Sequence, residues 1–214
     1  VAYAVGAAIP MLIIAYGGQA VTARFAVRGS EAIIEMAAAS GLDLLPGGEK
    51  APLTATSRGT GELIAAALDR GCTTIVLGVG GSANTDGGAG MLQALGVSLR
   101  TEDRPVRTGG AALVELVSAD VSGLDPRLAE AEIVLASDVD NPLLGDRGAA
   151  AVFAPQKGAS ADDVAALEAG LARFAALLEQ QPGVRPSASD AGAGAAGGVG
   201  YAALAVLGAR RVPG

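Results

Sequence analysis

TTIVLGVGGSANTDGGAGMLQALG, residues 73–96, decides how the rest of the chain is read. It opens with TTIVLG, a β-branched run suited to a buried strand. Two glycine clusters then bracket a short polar island of Ser82, Asn84, Thr85 and Asp86, and a helix is expected from about Gly88 to Leu95. Just ahead, GTGELIAAALDRG (residues 59–71) reads as a helix, with Leu63, Ile64, Ala67 and Leu68 on one face and Gly71 as its stop. Helix, strand, loop and helix in that order predict an α/β fold, a layered parallel or mixed sheet with flanking helices.

The pattern returns further along. EIVLA, residues 132–136, suits a second short buried strand, and it runs directly into SDVDNPLLG. EAIIEMAAA, residues 31–39, suits either strand or helix. The clearest helix covers about 161–179, where Ser160 and Asp163 form a capping-box-like start and Val164, Leu167, Leu171, Phe174 and Leu178 fall at helical spacing. Gln180, Gln181, Pro182 and Gly183 end it. Residues 183–198 read as a long flexible loop before a final Ala-rich helix at about 198–208. The chain is taken as one region, 1–214, with possible sub-boundaries near 45–55 and 183–192.

Composition narrows the chemistry. Half the residues are hydrophobic but only 3% are aromatic, so the core must be built from Ala, Val, Leu and Ile. A net charge of −7 with no basic tract argues against nucleic acid and anionic membranes as partners. The single Cys72 cannot form an internal disulfide, which fits a reducing cytoplasm. No histidine is present, which excludes Ser-His-Asp triads and His-ligated zinc and leaves carboxylates as the acid–base groups. Residues 1–23 carry no charge and are long enough to raise a membrane span, but Gly6, Pro10 and the Gly17-Gly18 pair argue against one. A buried helix and strand belonging to a longer chain is the expectation there.

In parallel sheets, ligands bind outside the carboxyl ends of the strands. The loops after Leu77 and Ala136 are therefore read together. Gly78-Val79-Gly80-Gly81-Ser82-Ala83 does satisfy G-x-G-x-x-A, with Glu102 and Asp103 about twenty residues on, as a dinucleotide fingerprint would have. That fingerprint needs a helix to begin inside the motif, whereas Asn84-Thr85-Asp86-Gly87-Gly88 continues the loop. No G-K-[ST] follows any Gly-rich stretch, so a Walker A loop is absent. A phosphoryl-transfer site needs backbone donors or cations for phosphate, carboxylates for Mg2+, and a group that positions the attacking hydroxyl. The 78–90 loop offers donors and Asp86; Asp138 and Asp140 lie two apart on one side of an extended chain; Asn141 adds a neutral oxygen and Lys157 a positive charge. Structural readings stay open beside these: Asp86 also suits a helix cap, and Asp138 or Asn141 an Asx turn into Pro142.

Five stretches in order resemble the signature blocks of the bacterial glycerate kinases: IIEMAAASGL, GTGELIAAALDRG, GVGGSANTDGGAGMLQALG, SDVDNPLLGDRGAAAVFAPQKGA and GAGAAGGVGYAALAVLGA. The resemblance runs from about Ala32 to Ala209. It implies a two-domain α/β kinase, one part flavodoxin-like with the active site in the cleft between the parts. It also implies transfer of phosphate from ATP, with Mg2+, to D-glycerate, giving 2-phosphoglycerate. Carried onto this sequence, it implies Asp86, Asp138 and Asp140 as catalytic, with Asp138 and Asp140 also as Mg2+ contacts. Gly80, Gly81, Ser82, Asn84, Thr85, Asn141, Gln156 and Lys157 are implied as substrate or nucleotide contacts, Lys157 for phosphate. Family members usually read S-A-T-N-D-G-G where this chain has Ser82-Ala83-Asn84-Thr85-Asp86, so Asn and Thr are exchanged. The family's D-S-F-K-G, D-G-G-E-G-T and T-G-E-G blocks have no counterpart in these residues. Weak or no turnover by this chain alone is therefore expected. A non-catalytic glycerate- or nucleotide-binding module and, third, a Rossmann-type oxidoreductase are the competing readings.

Overall fold

The structure is a computed structural model that describes residues 7–14 and 20–214. Its centre is a six-stranded mixed sheet. The strands are β1 (Ala7–Ile14), β2 (Ala20–Arg28), β3 (Glu31–Glu35), β4 (Thr74–Gly78), β7 (Glu132–Ala136) and β8 (Arg210–Val212), in that spatial order. β1, β2 and β3 form an antiparallel meander, while β3, β4, β7 and β8 are parallel. A separate antiparallel pair, β5 (Ser98–Arg100) and β6 (Ser118–Asp120), lies within residues 97–130, which carry no strong periodicity in the sequence. The helices are α1 (Ala37–Ser40), α2 (Arg58–Asp69), α3 (Ala89–Ala94), α4 (Ala149–Phe153), α5 (Ala161–Leu178) and α6 (Ala195–Ala205).

Register explains the core. Ala32, Ile75 and Ile133 lie side by side across β3, β4 and β7, as do Ile34, Leu77 and Leu135, and all six are buried. Successive side chains of a strand point to opposite faces, so these rows mark one fully covered face of the sheet. Ile33 and Val76, on the other face, are only half-buried. The strand expected over 73–78 is therefore present but is buried on alternate residues rather than throughout. β2 continues the same face through Ala23 and Phe25 while Thr22 and Arg24 are exposed.

That two-residue alternation makes residues 20–28 a strand, and 7–14 pair with them in register from Ala7↔Val27 to Ile14↔Ala20. The expected N-terminal helix is thus replaced by a hairpin over the described residues; residues 1–6 and 15–19 lie outside them. No helix among the described residues is long and apolar enough to cross a membrane.

EAIIEMAAA divides into β3 and the short α1. α5 begins with the expected capping box: the Ser160 side chain accepts from the Asp163 N–H, and the Asp163 carboxylate accepts from the Ser160 N–H. Residues 183–198 are not a loose loop, because Ser187, Ala193 and Ala195 are buried. Their small side chains let the backbone itself pack against its neighbours. The last helix accordingly starts earlier than expected, and Ala196, Gly197 and Gly198 take left-handed φ values within it. One buried apolar cluster runs from Ala23 to Ala209, with a satellite of Leu45, Ala55 and Ala83.

α2 and α3 pack through glycine. A Cβ at Gly61 would lie 2.4 Å from the Met91 carbonyl oxygen, inside any real contact distance. Gly61→Ala is expected to cost about 1–3 kcal/mol through overpacking, read as a lower urea midpoint with an unchanged m-value; an unchanged midpoint would show that the two helices can slide apart freely.

Candidate functional site

The parallel strands end at Glu35, Gly78, Ala136 and Val212, so the loops that follow them share one rim of the sheet. The polar island occupies the loop after β4. It is organised by Asp86, which is completely buried. One carboxylate oxygen accepts from the Ser57 N–H (2.8 Å), Ser57 Oγ (2.9 Å), Thr56 Oγ1 (3.3 Å) and the Gly90 N–H (3.2 Å). The other accepts from Asn84 Nδ2 (2.9 Å) and the Gly88 N–H (3.1 Å). Ser57 is the residue before α2, and its hydroxyl in turn accepts from the Met91 N–H of α3 (2.9 Å). Asp86 therefore sits where two helix N-termini converge, a position that favours an anion through unpaired N–H groups and the helix dipoles. The donors that the 78–90 loop was expected to offer a phosphate are largely spent on this internal carboxylate. The cap reading of Asp86 describes its geometry.

Close approach at Gly90 makes this possible, since a Cβ there would lie 2.2 Å from Thr56 Oγ1. On the other side, Asn84 Nδ2 donates to the Ala196 carbonyl (3.1 Å) and the Gly87 N–H to the Gly197 carbonyl (2.9 Å). Ala196, at φ 54°, is the one non-glycine residue in the left-handed region among the described residues. Such outliers persist only where the surroundings over-determine them.

Lys157, at the end of the Pro155–Lys157 turn after α4, reaches into the same place. Its Nζ donates to Ser82 Oγ (2.9 Å) and to the Asn84 carbonyl (2.5 Å). Burial lowers its pKa to about 8, and the nearby Asp86 charge opposes that shift. Asn84 Oδ1 and Thr85 Oγ1 are buried with no hydrogen-bond partner among the described residues. A buried unpaired polar atom costs about 1–3 kcal/mol, so both are places where a ligand's polar group would be compensated. Gly80 and Gly81 are exposed and leave the backbone approachable.

Ser82, Asn84, Thr85, Asp86 and Lys157 thus form one cluster. Asn141 is joined to it indirectly: its carbonyl accepts from the Gly194 N–H (2.8 Å), two residues before Ala196, while its side chain donates to the Arg147 carbonyl (2.7 Å). Gln156 is exposed and contributes its backbone oxygen to Lys50 Nζ (2.7 Å). Asp138 and Asp140 stand apart from the cluster's hydrogen bonds, both exposed, at the end of β7. Asp138 accepts from the Gly214 N–H (3.0 Å) and Asp140 from Arg211 Nη2 (2.5 Å), beside a cleft of about 200 Å³ lined by Ser137, Asp138, Arg211, Val212 and Pro213.

Two carboxylates suit Mg2+, which takes one or two protein carboxylates and fills its remaining positions with water and phosphate oxygens. No group of three or more acidic, Cys or His residues that could hold a metal occurs among the described residues. The sequence reading missed Thr56, Ser57 and Arg211. Ser57, a favoured cap residue directly ahead of a strong helix pattern, was the available signal for the first two.

The arrangement is that of an α/β protein with a polar cluster at the carboxyl rim of its sheet. The profile described as "Glycerate kinase family" matches residues 2–214, and the chain belongs to that family. It is 54% identical over 173 residues to the glycerate kinase of Haemophilus influenzae, covering 80% of this chain and 46% of that protein. It is 48% identical over 196 residues to the glycerate 2-kinase of Escherichia coli, covering 90% and 51%. A crystal structure of a provisionally assigned glycerate kinase 2 from Salmonella typhimurium superposes with a TM-score of 0.93 at 45% identity, covering 97% of this chain and 57% of that one. The chain spans about half the length of the curated relatives it matches.

Two expectations follow from the cluster. Asp86→Ala should lose at least about 3 kcal/mol in urea unfolding, because several buried donors lose their acceptor at once, while Asp86→Asn should lose less; unchanged stability in Asp86→Ala would remove the structural role. A lysine whose folded pKa is depressed destabilises the fold below that pKa, and the penalty fades as pH rises toward the unfolded value. Stability relative to Lys157→Met should therefore rise between pH 8 and 10.5, measured as the difference in melting midpoint.

Proposed function

We propose that this chain supplies the sheet and the polar rim of a kinase that transfers the γ-phosphoryl group of ATP to a hydroxyl of D-glycerate, giving 2-phosphoglycerate. The observation that carries this reading is the convergence of separate sequence blocks on one rim. Thr56 and Ser57 precede the GTGELIAAALDRG block, Asp86 lies in the third block, Lys157 near the end of the fourth and Ala196 in the fifth, and hydrogen bonds through Asp86 and Asn84 join them. Family membership of the whole matched region supports it.

In the reaction, the bond from the γ-phosphorus to ADP breaks, a new P–O bond forms to the glycerate oxygen, and the hydroxyl proton leaves. Asp86 has six donors on its two oxygens, which suits it to hold the loop in place rather than to take that proton. Asp138 and Asp140, exposed on the same rim, are better placed to accept the proton and to hold Mg2+. Bound Mg2+ would neutralise charge developing on the phosphate oxygens. Gly80, Gly81 and Ser82 would meet the substrate or the nucleotide, with Asn84, Thr85 and Asn141 lining the approach, and Gln156 at its exposed edge. The lone buried Cys72 suits a reducing cytoplasm.

The Rossmann reading is set aside on geometry. α3 starts only at Ala89, beyond the G-x-G-x-x-A stretch, and its first N–H groups already face Asp86.

The deciding assay couples ADP release to D-glycerate addition and compares this chain with a full-length relative. Weak or no turnover is expected from this chain, together with measurable binding of D-glycerate or ATP. In a full-length enzyme carrying this sequence, Asp138→Asn or Asp140→Asn should lower kcat at least about a hundredfold, the scale of a lost acid–base group. Unchanged kcat in both variants would remove these carboxylates from the reaction.

A further inference from the structure

Lys157 is buried and its ammonium is already held by two acceptors, Ser82 Oγ and the Asn84 carbonyl oxygen. A hydroxyl has one donor and two acceptor sites. With a lone pair of Ser82 Oγ occupied by the Lys157 N–H, the serine's own O–H must donate elsewhere. No acceptor for it occurs among the described residues. Ser82 directly follows the exposed Gly80 and Gly81 at the carboxyl end of β4, where ligands of parallel sheets bind. The unpartnered Asn84 Oδ1 and Thr85 Oγ1, two and three residues on, add independent buried polar atoms that point to a ligand at this loop.

We propose that Lys157 acts on the ligand through Ser82: the buried ammonium fixes the Ser82 hydroxyl as a hydrogen-bond donor to an anionic oxygen of a carboxylate or a phosphate. Lys157 is then a positioning residue, and Ser82 is the residue that touches the ligand. The kinase reading enters only in naming which ligand carries that oxygen.

The relay has a pH signature. Once Lys157 loses its proton, the neutral amine can accept from Ser82, which turns the hydroxyl inward and removes the donor. Affinity for the anion should therefore fall as pH rises through about 8. The charged group acting on Lys157 is Asp86, which favours the ammonium. Lys50 packs beside Gly158, with its Nζ on the Gln156 carbonyl.

The test is a double-mutant cycle on the intact chain, titrated by calorimetry with D-glycerate and, separately, inorganic phosphate. Ser82→Ala and Lys157→Met should each weaken binding about tenfold, the scale of one hydrogen bond to a charged group. The double variant should bind no more weakly than either single one, because the lysine has no route to the ligand without the serine. Ser82→Thr should restore affinity, and the loss of affinity above pH 8 should vanish in Ser82→Ala.

Additive losses in the double variant would overturn the relay in favour of direct contact by Lys157. So would full affinity in Ser82→Ala, or no binding of either anion by the unmodified chain. The response of one ligand rather than the other identifies the oxygen as carboxylate or phosphate. Phosphate binding with the expected cycle but no D-glycerate binding would support the relay and overturn the glycerate reading. If Lys157→Met does not fold, Ser82→Ala removes a single oxygen and decides the question through its affinity and pH profile.

Discussion

A carboxylate set between two helix N-termini governs the rest of this molecule. Asp86 ties the start of α2 to the start of α3 and tethers its own loop through Asn84 to the left-handed turn at the start of α6. An external anion at such a position would have to be bound anew each time; a covalently attached one is permanent. The consequence is division of labour within a single loop. Its second half, from Asn84 to Gly90, is a buried joint, while Gly80 and Gly81 in its first half are exposed at the rim, directly before the buried Ser82.

The joint depends on small residues. With 3% aromatic content, bulk cannot fill the spaces between elements, so backbones approach each other instead. Gly61 lies against the Met91 carbonyl, and a Cβ at Gly197 would lie 2.1 Å from the Asn84 carbonyl. The few large side chains are placed where layers meet, as in the edge-to-face contact of Phe174 on α5 with Tyr201 on α6, with centroids 6.2 Å apart.

How much of this was legible follows from what each signal measures. Periodicity located α2 and α5, short apolar runs marked β4 and β7, and α3 was placed by its position after the polar loop. Periodicity failed at β8, three residues long, and across 97–130, where β5 and β6 are equally short and pair only with each other. It also misjudged residues 183–198, since a Gly/Ala/Ser composition reads as loose whether the backbone is solvated or packed. The resemblance to glycerate kinases pointed to residues that lie along the rim but could not separate joint from surface. That separation depends on burial and on partners far away in sequence, such as Ser57 for Asp86 and Ser82 for Lys157.

The common direction of β3, β4, β7 and β8 has one more effect. The opposite rim is formed by the chain segments that enter these strands, including the turn at Gly29 and Ser30, the segment from Gly71 to Thr73 and the residues around Gly208. None of the polar cluster lies there. Of these connections the turn at Gly29 and Ser30 is exposed, so evolution or an experimenter can lengthen it or attach a label there with little effect on the chemistry, since exposed turns tolerate insertion best. The molecule has a working edge and a handle.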